Sequence, residues 1–224
     1  DFTLSELDAL VDAFVLAAKR CQDCGVDGVQ IHTAHSYLLS NFLNPVENLR
    51  TDEYGGVLEN RYRLIARILS AVRGACGSGF AVLVKADCNG CGDLPALLRL
   101  YARSGVDGIE VSGTEFNCRA GQRSPFYLDE LLRARGTLST PLILVGGIFS
   151  RQTAEDVLRH GIRLVSFSRA LIREPDFAAN LKSGVQEESR CRACNACYTI
   201  YRSRFVRCVQ HTEKIPQLEK VFGR

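Results

Sequence analysis

Five short, almost wholly apolar runs recur between amphipathic helical stretches, and this alternation restricts the chain more than any other feature. The runs cover residues 28–32, 81–85, 108–112, 142–146 and 164–168. They are continuous rather than alternating, as expected of parallel strands covered by helices. The first helix is marked by Leu4, Leu7, Leu10, Val11, Phe14 and Ala17 at helical spacing, with Thr3 or Ser5 as its cap. Further helices are expected over about residues 59–76, 93–104, 127–135, 151–160 and 176–183. The junctions Gly25-Val26-Asp27-Gly28 and Gly105-Val106-Asp107-Gly108 repeat one device, a glycine that ends a helix and a short turn into a strand.

Strands alternating with helices leave two α/β architectures, a doubly wound sheet or a (β/α)₈ barrel. No G-x-G-x-x-G follows a strand, which weakens the dinucleotide-binding version of the first. The polar residues favour the second. His32, Lys85, Ser112, Gly146-Gly147 and Ser168-Arg169 all fall at the carboxyl ends of the runs, the end that carries the active site in a (β/α)₈ barrel. Five strands are present where a closed barrel has eight, so they read as strands 4–8, with three more expected before residue 1. The chain opens on Asp1 and contains no Met. That agrees with an internal cut, the alternatives being a processed N-terminus or a methionine-poor composition. Residues 1–187 then form the C-terminal portion of a barrel, and residues 188–224 a short cysteine-rich tail.

Composition narrows the partners. A net charge of +3 over 224 residues, with 24% charged, supplies neither a basic stripe for nucleic acid nor a polybasic membrane tail. The apolar runs fall far short of the roughly 20 residues of a membrane-spanning helix. No secretory signal opens the chain, so a cytoplasmic setting is expected.

His32 ends a strand, and His35 and Tyr37 follow within five residues. Two imidazoles so placed can donate hydrogen bonds to one oxygen and stabilise negative charge developing there. A phenol, with an ordinary pKa of about 10, suits proton donation to a carbanion-like carbon. Capping and packing roles are the alternative. A metal site lacks a nearby carboxylate at convincing spacing.

The stretch 29–39 (VQIHTAHSYLL), then Asn41-Phe42-Leu43-Asn44-Pro45, Asn48-Leu49-Arg50-Thr51-Asp52-Glu53-Tyr54-Gly55-Gly56 and Glu59-Asn60-Arg61 resembles the central signature of the Old Yellow Enzyme (NADH:flavin oxidoreductase) family. The resemblance continues through residues 81–177. It implies an FMN-dependent enzyme that passes hydride from NAD(P)H through the flavin to an activated C=C bond. His32 and His35 would bind the substrate oxygen, and Tyr37 would give the proton. Lys85 would face the flavin edge that gains negative charge on reduction. Ser112 would also contact the cofactor, while Gly146, Gly147, Ser168 and Arg169 would hold the flavin phosphate. The family usually has Gly-Arg where this chain has Ser168-Arg169. Glu59 and Arg61 are expected to form salt bridges that hold the long loop after the first strand. The substrate would be a small molecule with an activated alkene or carbonyl. Oligomerisation stays open. With the first three strands unassigned, the chain is expected to need the N-terminal half of the barrel to bind FMN well.

Ten cysteines are many for this length. Cys191, Cys194 and Cys197, followed by Cys208, give C-x₂-C-x₂-C-x₁₀-C, a spacing that suits an iron–sulfur cluster, with zinc or free thiols as alternatives. The motif is similar to that of the iron–sulfur branch of the family, which resembles dienoyl-CoA reductases and trimethylamine dehydrogenase, and this implies a [4Fe–4S] cluster. Two alternative functions follow: an iron–sulfur flavoprotein acting on amines or dienoyl thioesters, and a truncated barrel fragment without catalysis. Cys21 and Cys24 lie in a helical stretch and read as small apolar residues. Cys88 and Cys91 read as structural.

Overall fold

The computed structural model describes residues 2–200 and 206–210. Its five strands are β1 (Gly28–Thr33), β2 (Ala81–Asp87), β3 (Gly108–Ser112), β4 (Leu142–Val145) and β5 (Leu164–Ser166). All are parallel and lie in sequence order, β1-β2-β3-β4-β5. Parallel neighbours need a crossover, and helices supply it. These are α1 (Leu4–Asp23), α2 (Leu38–Leu43), α3 (Leu58–Cys76), α4 (Leu94–Arg103), α5 (Leu128–Ala134), α6 (Arg151–Arg159), α7 (Arg169–Arg173), α8 (Phe177–Ser183) and α9 (Ala196–Ile200). A 3₁₀ turn, Glu115–Arg119, follows β3. No described helix is long and apolar enough to cross a membrane.

Local chemistry accounts for the element boundaries. Thr3 caps α1 through a capping box: its hydroxyl accepts from the Glu6 N–H, and the Glu6 carboxylate accepts from the Thr3 N–H at 2.7 Å. The repeated junction behaves as its sequence implies, with Gly25 (φ 79°) and Gly105 (φ 70°) in the left-handed region after α1 and α4. Gly28 is required by crowding, since a Cβ there would stand 2.4 Å from the Ala81 carbonyl oxygen across the sheet.

One face of the sheet meets the helices. Ile31, Val82, Val84, Ile109, Val111 and Leu144 join a single core with Leu7 and Val11 of α1, Leu64, Ile65, Ile68 and Leu69 of α3, Leu97 and Leu98 of α4, and Leu131 of α5. Full burial of each such side chain contributes about 1.5–3 kcal/mol of transfer free energy. Because strand side chains alternate, the opposite face carries Gln30, His32, Leu83, Lys85, Glu110 and Ser166. On that face Gln30 is exposed, while His32, Leu83, Lys85 and Ser166 are only partly covered.

The expected and observed strands agree in number, order and start. Their ends differ. β2 runs two residues beyond Lys85 to Asp87, because Cys88 N–H still bonds the Ser112 carbonyl. β4 and β5 stop at Val145 and Ser166, so Gly146-Gly147 and Ser168 lie beyond the strands and Arg169 opens α7.

Candidate active site

The sheet register builds the site. His32 of β1 stands opposite Lys85 of β2, and Lys85 opposite Glu110 of β3. The row therefore reads His32, Lys85, Glu110 across three strands. Beyond it, the turn after β1 returns His35 and Tyr37 over His32. The His32 and His35 ring centroids are 5.1 Å apart at 67°, and those of His32 and Tyr37 are 5.4 Å apart at 49°. Tyr37 is 62% exposed, so its phenol is open to a small molecule.

This turn has an unusual backbone. His35 (φ 64°) and Ser36 (φ 56°) are consecutive non-glycine residues in the left-handed region, where L side chains pay a steric penalty. Asp87, at the end of β2, compensates. Its Oδ2 accepts from the His35 N–H at 2.6 Å and from the Ser40 hydroxyl at 2.9 Å. Asp87 Oδ1 is buried without a protein partner. His35 Nε2 and Ser112 Oγ share a hydrogen bond at 2.8 Å, which ties the turn to β3 as well.

Electrostatics favour neutral imidazoles. Burial pushes the His32 pKa below 6.5, and the Lys85 charge adds to this against Asp87 and Glu110. Burial also lowers His35, with Lys85 and His32 assisting and Asp87 opposing. A neutral imidazole carries one N–H donor. When the Ser112 hydroxyl donates to Nε2, the proton of His35 sits on Nδ1.

Lys85 is not a bare cation. Its Nζ donates to Glu110 Oε1 at 2.5 Å, and Ser166 donates to Glu110 Oε2 at 2.7 Å. The Glu110 side chain is only 9% exposed. Burial alone would raise its pKa, but the hydrogen bond and charge of Lys85, with hydrogen bonds from Ser166 and Gln30, together hold it down. Glu110 and Asp87 were not singled out in the sequence. The available signal was a lone carboxylate inside each of two apolar strands.

Gly146 (φ 103°) and Gly147 (φ 78°) are left-handed, and a Cβ on Gly147 would stand well inside contact distance of the Ser124 carbonyl. These glycines thus admit the 124–126 segment against β4. Ser168 precedes α7. Arg169 is buried, with its guanidinium carbon 5.3 Å from the ring centroids of both Phe126 and Phe149. Its Nη1 donates to the Ala193 carbonyl at 3.1 Å and to Asn195 Oδ1. The expected phosphate residues therefore share one region, while one nitrogen of Arg169 is engaged with the tail.

The tail packs on this end of the sheet. Cys191 and Ala193 join Phe149, Ala170, Phe177 and Leu181 in a second apolar cluster. Cys191, Cys194, Cys197 and Cys208 line one cavity of about 90 Å³ together with Arg169 and Arg173. Burial raises the thiol pKa of Cys191 and Cys197. Among the described residues, no three His, Cys, Asp or Glu side chains already form a cage for a single metal ion. Residues 201–205 and 211–224 of the expected tail lie outside the described residues.

Other expectations resolve differently. Arg61 holds the long loop, but not through a salt bridge with Glu59. It is buried and donates to the carbonyls of Leu43 (2.7 Å), Gly56 and Cys91 (3.3 Å), because the loop presents backbone acceptors there. The ion pairs of the region are Arg50–Asp52 and Arg63–Glu53. Cys91 is buried and Cys88 half-buried, the latter with its pKa pushed up to about 12, chiefly by burial, so both are weak nucleophiles at neutral pH.

Residues 1–87 match the model of the NADH:flavin oxidoreductase / NADH oxidase family. The 4,4'-dithiodibutanoate disulfide reductase of Rhodococcus erythropolis is 30% identical over an alignment covering 92% of this chain and 62% of that protein. Among solved structures, a 2-naphthoyl-CoA reductase complex superposes with a TM-score of 0.83 at 22% identity, covering 93% of this chain and 34% of that one. The old yellow enzyme homologue from Zymomonas mobilis gives 0.69 at 26% identity, covering 84% and 55%. The chain thus spans between about a third and three-fifths of the length of these proteins, and its five-stranded parallel sheet corresponds to part of their (β/α) barrel. In sequence and in fold, the chain is thus similar to the NADH:flavin oxidoreductase / NADH oxidase family.

Proposed function

We propose that the chain forms the substrate-binding half of an FMN- and NAD(P)H-dependent reductase of small molecules bearing an activated alkene or carbonyl. The observation that carries this reading is the rim cluster itself: two neutral imidazoles and an exposed phenol in ring contact, beside Lys85 and Ser112. The residues suit a flavin at this rim. Lys85 would serve its pyrimidine edge, with Ser112 nearby, and Gly146, Gly147 and Ser168 would offer backbone N–H groups to the phosphate. FMN, when bound, would supply the hydride.

The protein's own groups do the rest. His32 and His35 hold and polarise the substrate oxygen as uncharged donors, which take no proton from solvent at neutral pH. Asp87 and Ser112 keep His35 in place. Tyr37 keeps a proton for the carbon that accumulates negative charge, a task for a weak acid. Residues 1–187 supply the barrel portion and residues 188–224 the tail. The half-covered sheet face is completed by further barrel strands, so full flavin affinity requires them.

The cysteine tail supports a second cofactor. Four thiols around one cavity suit a [4Fe–4S] cluster, in which each thiolate takes a separate iron. A zinc ion would need all four sulfurs at about 2.3 Å from one point. With a cluster, action on amines or dienoyl thioesters becomes the second reading.

The test uses the protein isolated anaerobically in its complete natural form, with flavin and iron quantified. Bound FMN, NAD(P)H-dependent reduction of an enone, and a phenol charge-transfer band lost in His32→Ala are expected. Unchanged phenol binding in His32→Ala would sink the assignment of the substrate oxygen to this pair.

A further inference from the structure

The residue expected to grip the flavin phosphate makes its visible hydrogen bonds elsewhere. Arg169 opens α7 just after β5, yet its Nη1 reaches Ala193 O and Asn195 Oδ1 of the cysteine loop. These two acceptors flank Cys194. Both residues are left-handed, Ala193 at φ 56° and Asn195 at φ 61°, and Ala193 is wholly buried. Two such turns around one cysteine bend the chain sharply enough for Cys191, Cys194 and Cys197 to line the same cavity. The turn at Ala193 is intrinsically unfavourable, whereas asparagine adopts one readily. A donor bridging the two residues holds Ala193 in it.

The guanidinium is itself fixed. It lies against the faces of Phe126 and Phe149, and a planar cation stacked on aromatic rings has little freedom to turn. Arg123 works beside it. It sits 4.9 Å from the Phe149 centroid and donates to the Cys191 carbonyl. The loop is thus held at Cys191 and on both sides of Cys194 by two arginines anchored on one phenylalanine.

We infer that Arg169 is a positioning residue for the cysteine loop: it staples Ala193 to Asn195 and so holds the thiols in the arrangement that accepts a cluster. This deepens the cluster reading above and rests on it. Lysine would keep the charge but lose both the planar stack and the bridging geometry.

The experiment reconstitutes the full chain anaerobically with ferrous iron and sulfide, then compares wild type, Arg169→Lys, Asn195→Ala and the double variant. Iron and acid-labile sulfide are counted, the dithionite-reduced cluster is recorded by electron paramagnetic resonance, and iron loss to a chelator is timed. Far-UV circular dichroism and thermal melts monitor the fold. Arg169→Lys should release iron about ten-fold faster or more, the effect of losing a charge-assisted hydrogen bond, with a changed resonance signal and a retained fold. Asn195→Ala should shift both in the same direction, and the double variant should add little to Arg169→Lys, because the two changes break one interaction. Wild-type release and signal in both single variants would overturn the staple while leaving the cluster reading intact. Weakened FMN binding with unchanged iron retention would return Arg169 to the phosphate and also overturn it. A wild-type chain that takes up no iron would defeat the cluster reading, and the staple with it. Should Arg169→Lys fail to fold, Asn195→Ala decides alone, since it leaves the stacked guanidinium in place.

Discussion

Asp87→Ala should destabilise the fold more than its small volume change implies. The carboxylate is buried, and one oxygen serves two donors, the His35 N–H at 2.6 Å and the Ser40 hydroxyl at 2.9 Å. Hydrogen bonds to a charged group contribute about 1.5–3 kcal/mol each. They offset the left-handed backbone of His35 and Ser36, which costs about 1–2 kcal/mol per residue. Alanine removes both acceptor contacts and relieves none of the backbone cost, so a loss of about 3 kcal/mol or more is expected. Asparagine keeps an oxygen at the Oδ2 position and places its amide where Oδ1 has no protein partner, so Asp87→Asn should lose only about 1 kcal/mol. Ser36→Gly should move the other way, stabilising by up to about 1 kcal/mol, because glycine accepts the left-handed conformation freely. Equilibrium denaturation in urea measures all three, and ¹⁵N spectra of the imidazoles report whether the His35–Ser112 contact survives. If Asp87→Ala lies within experimental error of wild type, the carboxylate does not hold the turn and this account of His35 is wrong.

Two further outcomes concern charge. Lys85→Met should cost about 2–3 kcal/mol, because it leaves a nearly buried Glu110 carboxylate without its cation, and adding Glu110→Gln should recover much of the loss; a double variant no more stable than Lys85→Met in urea would refute the coupling. The lowered pKa values of His32 and His35 fix a pH dependence: the unfolded chain binds protons near 6.5 more readily than the folded one, so this contribution is present above pH 6.5 and is lost as pH falls through the folded values. Glu110 loses its own contribution only below its ordinary value of 4.5, so a decline in urea midpoint that sets in below pH 6.5, ahead of that of the carboxylate, belongs to the histidines and should flatten in a His32→Asn/His35→Asn variant.

The strands were legible because a continuous apolar run between helices has few other uses, and the start of α1 because Thr3 is a side-chain cap written into the sequence. His32, His35 and Tyr37 were legible as a spacing and became specific through the extended signature. What stayed hidden depends on register. Glu110 meets Lys85 only because β2 and β3 align them, and the Asp87 clamp forms only because β2 extends two residues further than its apolar run suggests. The left-handed pair His35-Ser36 carries no glycine or asparagine to announce it. Arg61 was found in the right place with the wrong partners: a guanidinium can satisfy carbonyls as well as carboxylates, and sequence spacing does not distinguish them.

The Lys85–Glu110 pair changes what kind of help this rim can give. A lone ammonium would act mainly through its net charge. Here Glu110 is held ionised by Lys85 and Ser166, so the pair is close to neutral overall. Its field therefore fades with distance faster than that of an isolated cation, and Lys85 acts on a neighbour chiefly through an N–H it can direct. The histidines are biased the same way, since burial and Lys85 keep them uncharged. Two of the rim donors are thus oriented by other residues: His35 by Asp87 and Ser112, Lys85 by Glu110. A site built like this stabilises charge that develops at one position rather than charge already carried by an approaching anion. That is the requirement for a neutral substrate that becomes anionic only during reduction, and it disfavours a substrate that arrives as a carboxylate or phosphate at the same point.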